Sequence, residues 1–393
     1  MPDYKYLIIG GGMTGDAAVK GIREVDATSS IGLIGNEMDK PYNRPPLTKQ
    51  LWKGKPLDSI WRGTDETQVT LHLGRTAKTL DLAKKRVMDD QGTVYSYNKL
   101  LLATGGTPRR LPFGGDDILY YRYLSGYRRL RDLTEAHQQF AVIGSGFIGS
   151  EIAAALAMNG KQVTMIFPEG TIGERMYPPD LAAFVTDYYR QKGVQVFAGE
   201  EVVGLNKDNG QMRLQTKSGK SVTAEAVVTG IGISPNIELA QGAGLKIENG
   251  ILVDEYLSTS ASDVYAAGDV AAFFNPALNR RMRVEHEDNA NTMGKIAGQN
   301  MAGKPVRYDH LPFFYSDMFD LGYEAVGELD SRLEMIADWG KEYQKGVIYY
   351  LRDARVRGVL LWNVWDQVPT ARQLISEAGP FNRDNLKDRI AVT

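Results

Sequence analysis

Apolar positions open the chain in a nearly continuous β-rich run, Tyr4-Lys5-Tyr6-Leu7-Ile8-Ile9, which stops at Gly10-Gly11-Gly12-Met13-Thr14-Gly15. Ala17, Ala18, Val19 and Ile22 then recur at helical intervals, so the pattern predicts strand, tight turn and helix. A second strand, Ile31-Gly32-Leu33-Ile34, ends at Gly35-Asn36-Glu37. The same order returns at Phe140-Ala141-Val142-Ile143, Gly144-Ser145-Gly146-Phe147-Ile148-Gly149, a helical Ile152 to Met158 and a strand Val163 to Phe167. Alternating strands and helices of this kind predict an α/β chain with two Rossmann-like units.

The glycines in such a unit have separate tasks. Gly10 permits the turn, Gly12 lets a pyrophosphate approach the backbone, and Gly15 lets the helix pack closely on the strand, with Thr14 inside the loop. The helix N-terminus then faces the phosphates. Glu37 stands about twenty residues on, where a carboxylate meets a ribose hydroxyl, with Asn36 as the alternate. Gly144, Gly146 and Gly149, with Phe147 and Ile148 between them, repeat the arrangement. One such turn is common as plain structure. Two complete units imply a resident dinucleotide and an exchanging one, the arrangement a two-dinucleotide oxidoreductase needs.

With 393 residues the chain is too long for one core, so two or three domains are expected. A net charge of -2 supplies no global field for nucleic acid or an anionic membrane, and neither is an expected partner. No apolar run approaches the roughly 20 residues that cross a bilayer. The first strand begins almost at the initiator, which leads us to expect no leader and a cytoplasmic protein. Cysteine is absent, removing disulfides, thiolate nucleophiles and iron-sulfur ligation together, so redox chemistry requires a bound cofactor. The four histidines, His72, His137, His286 and His310, show no metal-ligand spacing, and no metal is expected.

Longer motifs add a resemblance. Pro41-Tyr42-Asn43-Arg44-Pro45-Pro46-Leu47-Thr48-Lys49, Ala103-Thr104-Gly105-Gly106-Thr107-Pro108-Arg109, Ala267-Gly268-Asp269 and Arg283-Val284-Glu285-His286 resemble those of the FAD-dependent pyridine nucleotide oxidoreductases. The branch is the one containing apoptosis-inducing factor and the ferredoxin reductases of bacterial oxygenases. Phe314-Tyr315-Ser316-Asp317, Gly322 to Gly327 and Lys345 to Leu361 are most similar to apoptosis-inducing factor, whose apoptotic role does not transfer. The resemblance spans nearly the whole chain. It implies a discontinuous FAD domain at 1–113 and 245–307, an NAD(H) domain at 114–244 and a C-terminal α/β domain at 308–393.

The resemblance also implies roles. Asp269 would bind ribityl hydroxyls. Arg44 and Arg109 would contact FAD, Ala103, Thr104 and Gly105 would let the backbone reach it, and Thr76 and Ala77 would bracket adenine. Glu285 and His286 would lie beside the flavin just ahead of a helix-like Asn289 to Met301, whose N-terminal partial charge favours a reduced flavin. Lys49 and Glu151 would form an ion pair beside flavin N5 without acting as acid or base. Phe147 would gate the ring and Tyr315 would wall it, with Tyr315 equally readable as core. Ile148 and Gly232 complete the nicotinamide-side set.

Phe167 occupies the strand end where many NAD enzymes carry an acid, and Glu169 follows two residues later. A carboxylate there favours NADH over NADPH, with Arg175 close by. Without cysteine, electrons must leave reduced FAD directly, to a ferredoxin, a rubredoxin, a quinone, a radical or oxygen. Arg122, Arg128, Arg129 and Arg131 crowd one helix-like segment that could meet an acidic ferredoxin or simply be solvated. The alternative is a redox-sensing flavoprotein whose charge-transfer complex with NAD controls dimerisation or partner binding. A homodimer is compatible with either.

Overall fold

A computed structural model describes residues 1–208 and 210–392; Asn209 and Thr393, in the expected second and third domains, lie outside it. The helices are α1 (Met13–Arg23), α2 (Leu124–Ala136), α3 (Phe147–Met158), α4 (Pro179–Gln191), α5 (Glu238–Gly242), α6 (Glu287–Met301) and α7 (Val368–Ser376), followed by a short Arg383–Leu386 turn of helix. The chain divides into two compact units.

The first unit comprises Met1–Arg44, Leu57–Thr107 and Ser234–Pro312. Its parallel strands run Thr70–Leu73, Ile31–Gly35, Asp3–Ile9, Val94–Leu102, with Val264–Ala266 also beside Val94–Leu102, and Arg86–Asp89 and Ala77–Asp81 extend the sheet antiparallel. Ile8 aligns with Leu33 on one side and Leu101 on the other. Leu7, Ile8 and Leu100 to Leu102 are buried on both faces, as a sheet covered by helices requires. α1 and α6 approach backbone to backbone: a Cβ on Gly294 would stand 2.4 Å from the Thr14 carbonyl oxygen, and one on Gly298 2.2 Å from that of Ala18. Only glycine fits such a crossing.

The second unit comprises Pro45–Pro56, Pro108–Ile233 and Phe313–Thr393. Five parallel strands lie in the order Gln195–Ala198, Gln162–Phe167, Gln139–Ile143, Ala226–Thr229, Ile118–Tyr120. An antiparallel layer of Val202–Asp208, Gln211–Thr216 and Ser221–Ala224 accompanies them. The C-terminal part is a five-stranded antiparallel sheet, Phe313–Met318, Leu321–Gly327, Arg355–Trp362, Lys345–Arg352, Glu334–Lys341, on which α7 packs.

The α/β class expected from the apolar pattern is therefore the observed one. The second glycine-loop helix starts at Phe147, earlier than the periodic run shows, because Gly149 and Ser150 interrupt the apolar spacing in its first turn. Arg122 precedes α2, so three of the four clustered arginines share that helix. Among the described residues no helix is long and apolar enough to cross a membrane, and no group of three or more His, Asp or Glu could hold a metal ion.

Candidate functional site

Both glycine loops are built for a backbone-bound anion. Gly10 has φ +132°, and its Cβ would sit 2.0 Å from the Ala103 carbonyl oxygen, while a Cβ on Gly15 would sit 2.1 Å from that of Gly10. Those two glycines are demanded by the fold itself. Gly12 is different: its nearest neighbour would be Arg44 Nη2 at 3.9 Å, so the space before it is nearly open. Gly12 also caps α1 without a side-chain hydrogen bond, leaving the N-terminal amides to an outside acceptor. The second loop repeats this division. A Cβ on Gly149 would lie 2.2 Å from the Gly144 carbonyl oxygen, whereas Gly146, the cap of α3, has nothing within 4 Å. Each cradle is closed where the fold needs closing and open where a pyrophosphate would enter, so the residues fit two dinucleotides.

Around the first loop, Glu37 accepts from Tyr42 Oη at 2.5 Å and Arg44 Nη2 at 2.6 Å, and the Arg44 guanidinium lies over the Tyr42 ring. The three residues form one cluster beside Gly12. Thr14 is buried against Gly268, where a Cβ would come within 2.3 Å of its hydroxyl oxygen. Gly268 opens the 3-10 turn bearing Asp269. Arg283 donates to the Asp269 carbonyl oxygen at 2.8 Å and pairs with Glu285 at 2.6 Å, which brings those two candidates together. His286 is the cap of α6. Ala77 begins its strand opposite Asp89, and Thr76 exchanges bonds with Asp90.

Two supports here have no sequence signature. Asn236 holds the Thr104–Gly105 turn, accepting from Thr104 Oγ1 at its carbonyl oxygen at 2.7 Å and donating from Nδ2 to the Thr104 carbonyl oxygen at 2.8 Å. Asp16, fully buried in the first turn of α1, accepts from Arg62 Nε at 2.6 Å and Thr64 Oγ1 at 2.6 Å and pairs with Lys20 at 3.0 Å. The same guanidinium of Arg62 donates to Asn43 and to Asn291 on α6. A buried carboxylate near a phosphate cradle is tolerable only when matched in this way.

In the second unit, Ser145 Oγ donates to Glu169 at 3.2 Å, and Arg175 pairs with Glu169 at 2.9 Å. Glu169 therefore stands against the second glycine loop. Gly232 has φ +88° and accepts the Arg109 amide at 3.0 Å; the exposed Arg109 side chain reaches the Ile233 carbonyl oxygen. Ile148 is a partly exposed apolar side chain beside the loop. Phe147 meets Phe314 edge to face at 5.5 Å.

Lys49 and Glu151, 102 residues apart, are brought together at 2.7 Å, exposed by only 6% and 3%. Glu151 also accepts from Thr48 Oγ1 at 2.6 Å and Ser316 Oγ at 2.7 Å. Lys49 Nζ stands 5.0 Å from the Tyr315 ring centre, a cation-π contact. Three tyrosines wall this charge. Burial pushes the pKa values of Tyr177, Tyr189 and Tyr323 well up, and the negative charge of Glu151 adds to the shift. The Tyr189 hydroxyl donates to the Ser150 carbonyl oxygen at 2.9 Å, next to Glu151 in the chain. Thr48, Ser316 and Tyr323 lie inside the motifs that carry the resemblance but were assigned no role there, and Tyr177 and Tyr189 lie in none of them.

Two dinucleotide cradles and a buried cation-carboxylate pair, in a chain without cysteine, define a flavin- and nicotinamide-linked oxidoreductase. The chain belongs to the pyridine nucleotide-disulphide oxidoreductase family, whose model matches residues 4–294. The C-terminal model of mitochondrion-associated apoptosis-inducing factor matches 297–342 and 338–377. Apoptosis-inducing factor 1 of Dictyostelium discoideum is 35% identical, over 95% of this chain and 78% of that protein. The ferredoxin reductase subunit of a 5,5'-dehydrodivanillate O-demethylase from Sphingobium is 32% identical, over 99% and 97%. Among solved structures, the covalent putidaredoxin reductase–putidaredoxin complex superposes with a TM-score of 0.91 at 28% identity, covering 99% of this chain and 96% of that one. The branch expected from the motifs is thus the one found.

Proposed function

We propose that the chain takes a hydride from NADH onto FAD and passes the electrons directly to a ferredoxin, rubredoxin or quinone acceptor in the cytoplasm. The observation that carries this reading is the buried Lys49–Glu151 pair in a chain with no cysteine to relay electrons. Residues 1–113 and 245–307 would hold FAD, 114–244 NAD(H), and 308–393 would form the C-terminal wall. Bound FAD would supply the store that takes two electrons from NADH and releases them.

The chain's own residues do the rest. Gly12 and the N-terminus of α1 receive the FAD pyrophosphate, Gly146 and α3 that of NADH, and Glu37, Asp269 and Glu169 accept hydroxyl hydrogens. Glu151 balances the Lys49 ammonium, and Thr48 and Ser316 satisfy the carboxylate. A fixed ammonium favours electron density arriving nearby. The purified protein is expected to be yellow, and an acceptor screen following NADH oxidation names the partner. Lys49→Ala should slow flavin reduction at least about tenfold in stopped flow while FAD stays bound; an unchanged rate removes Lys49 from the reacting centre.

The NADH preference rests on Glu169, whose charge would oppose a 2′-phosphate. Arg175 offsets only part of it, being 86% exposed and screened by water. Glu169→Ala should narrow the preference for NADH over NADPH by about tenfold, or about 1.4 kcal/mol. Comparing kcat/KM for the two coenzymes checks this.

A further inference from the structure

We propose that Ser316 is a positioning residue for the Lys49–Glu151 pair, held in place by the packed face of the C-terminal sheet. The proposal deepens the function above, since it rests on Lys49 serving the flavin.

A serine hydroxyl has one hydrogen to give, and Ser316 gives it to Glu151 Oε1 at 2.7 Å, the same oxygen that Lys49 Nζ meets at 2.7 Å. One oxygen thus collects two donors, and Ser316 fixes where it stands relative to the ammonium. Tyr323 lies directly opposite Ser316 across the antiparallel strand pair, which puts both side chains on one face of the C-terminal sheet.

Packing keeps that face fixed. Tyr323 stacks on Trp362 at 5.9 Å, and Tyr177 meets both rings edge to face at 5.8 and 5.6 Å. Thr48 fixes the other oxygen of Glu151 at 2.6 Å, so the carboxylate is held at both ends and Lys49 has one place to stand. The sheet that supplies Ser316 is thereby a working part of the redox centre.

The test uses the FAD-loaded protein and the variants Ser316→Ala, Ser316→Thr and Ser316→Cys. Ser316→Ala should reduce the rate of flavin reduction at saturating NADH about tenfold, as expected for one hydrogen bond to a charged group. The NADH dissociation constant should stay within about twofold, since the ligand is not touched. The flavin midpoint potential, measured with a reference dye and no NADH, should become more negative, because a loosened ammonium stabilises the electron-rich state less well. Ser316→Thr should restore rate and potential. In a Glu151→Gln background, Ser316→Ala should add little further loss. Should Ser316→Ala fail to fold, Ser316→Cys, a weak donor of similar size, replaces it, with a fall of about threefold expected. An unchanged potential in the tested variant overturns the proposal, as does an equal loss with and without Glu151. If wild-type flavin is not reduced by NADH at all, the parent reading fails, while the potential still decides the role of Ser316.

Discussion

Glu151→Ala is expected to lower folding stability by about 3–5 kcal/mol, the cost of leaving a buried ammonium without its counter-charge. Lys49 is 6% exposed, so solvent cannot replace the lost carboxylate. Ser316 would lose its acceptor at the same time, while Thr48 keeps the Pro45 carbonyl oxygen at 3.2 Å, adding one stranded hydroxyl. The double replacement Lys49→Met with Glu151→Leu should regain most of the loss, because it removes both charges and both desolvation penalties. Urea midpoints of the two variants and the wild type make the comparison. A single variant as stable as the wild type would mean that the pair is not buried as described.

Gly12→Val should do the opposite: keep the fold and lose the cofactor. The backbone at Gly12 is ordinary, with φ −94° and ψ −169°, and a Cβ there would find only Arg44 Nη2 at 3.9 Å. Valine would instead fill the approach that a pyrophosphate needs, lowering FAD affinity by at least about 100-fold, some 2.7 kcal/mol. Gly15→Ala is the control, since its methyl would lie 2.1 Å from the Gly10 carbonyl oxygen and disturb folding directly. Titrating FAD into apoprotein, together with melting curves of the apo forms, separates the cases. Wild-type FAD affinity in Gly12→Val would place the pyrophosphate elsewhere.

The two cases also show what a sequence can disclose. The glycine loops were legible because their constraints are local: a positive φ at Gly10 and close approaches within a few residues at Gly15 and Gly149 leave a fixed spacing. The central parallel strands were legible because burial on both faces makes them largely apolar, whereas the flanking Thr70–Leu73 and Gln195–Ala198, only partly buried, were not read. Lys49 and Glu151 could be paired only through resemblance, since 102 residues separate them and neither lies in a repeating pattern. Ser316 lay in a quoted motif without a legible role, and Asn236 was not legible at all. A serine in a strand and an asparagine in a turn are ordinary residues until the fold brings a carboxylate or a carbonyl within reach. The same holds for Asp16, whose place in the first turn of α1 reads as a routine helix start.

Asp16 has a consequence for how the first unit breathes. Through one guanidinium, Arg62 ties α1, the stretch beside Arg44 and α6 to each other. None of the three can loosen without stranding a buried anion or breaking bonds to the other two. Local opening of this lobe is therefore cooperative: the loop that would admit a nucleotide and the helix whose end would face its ring are released together or not at all.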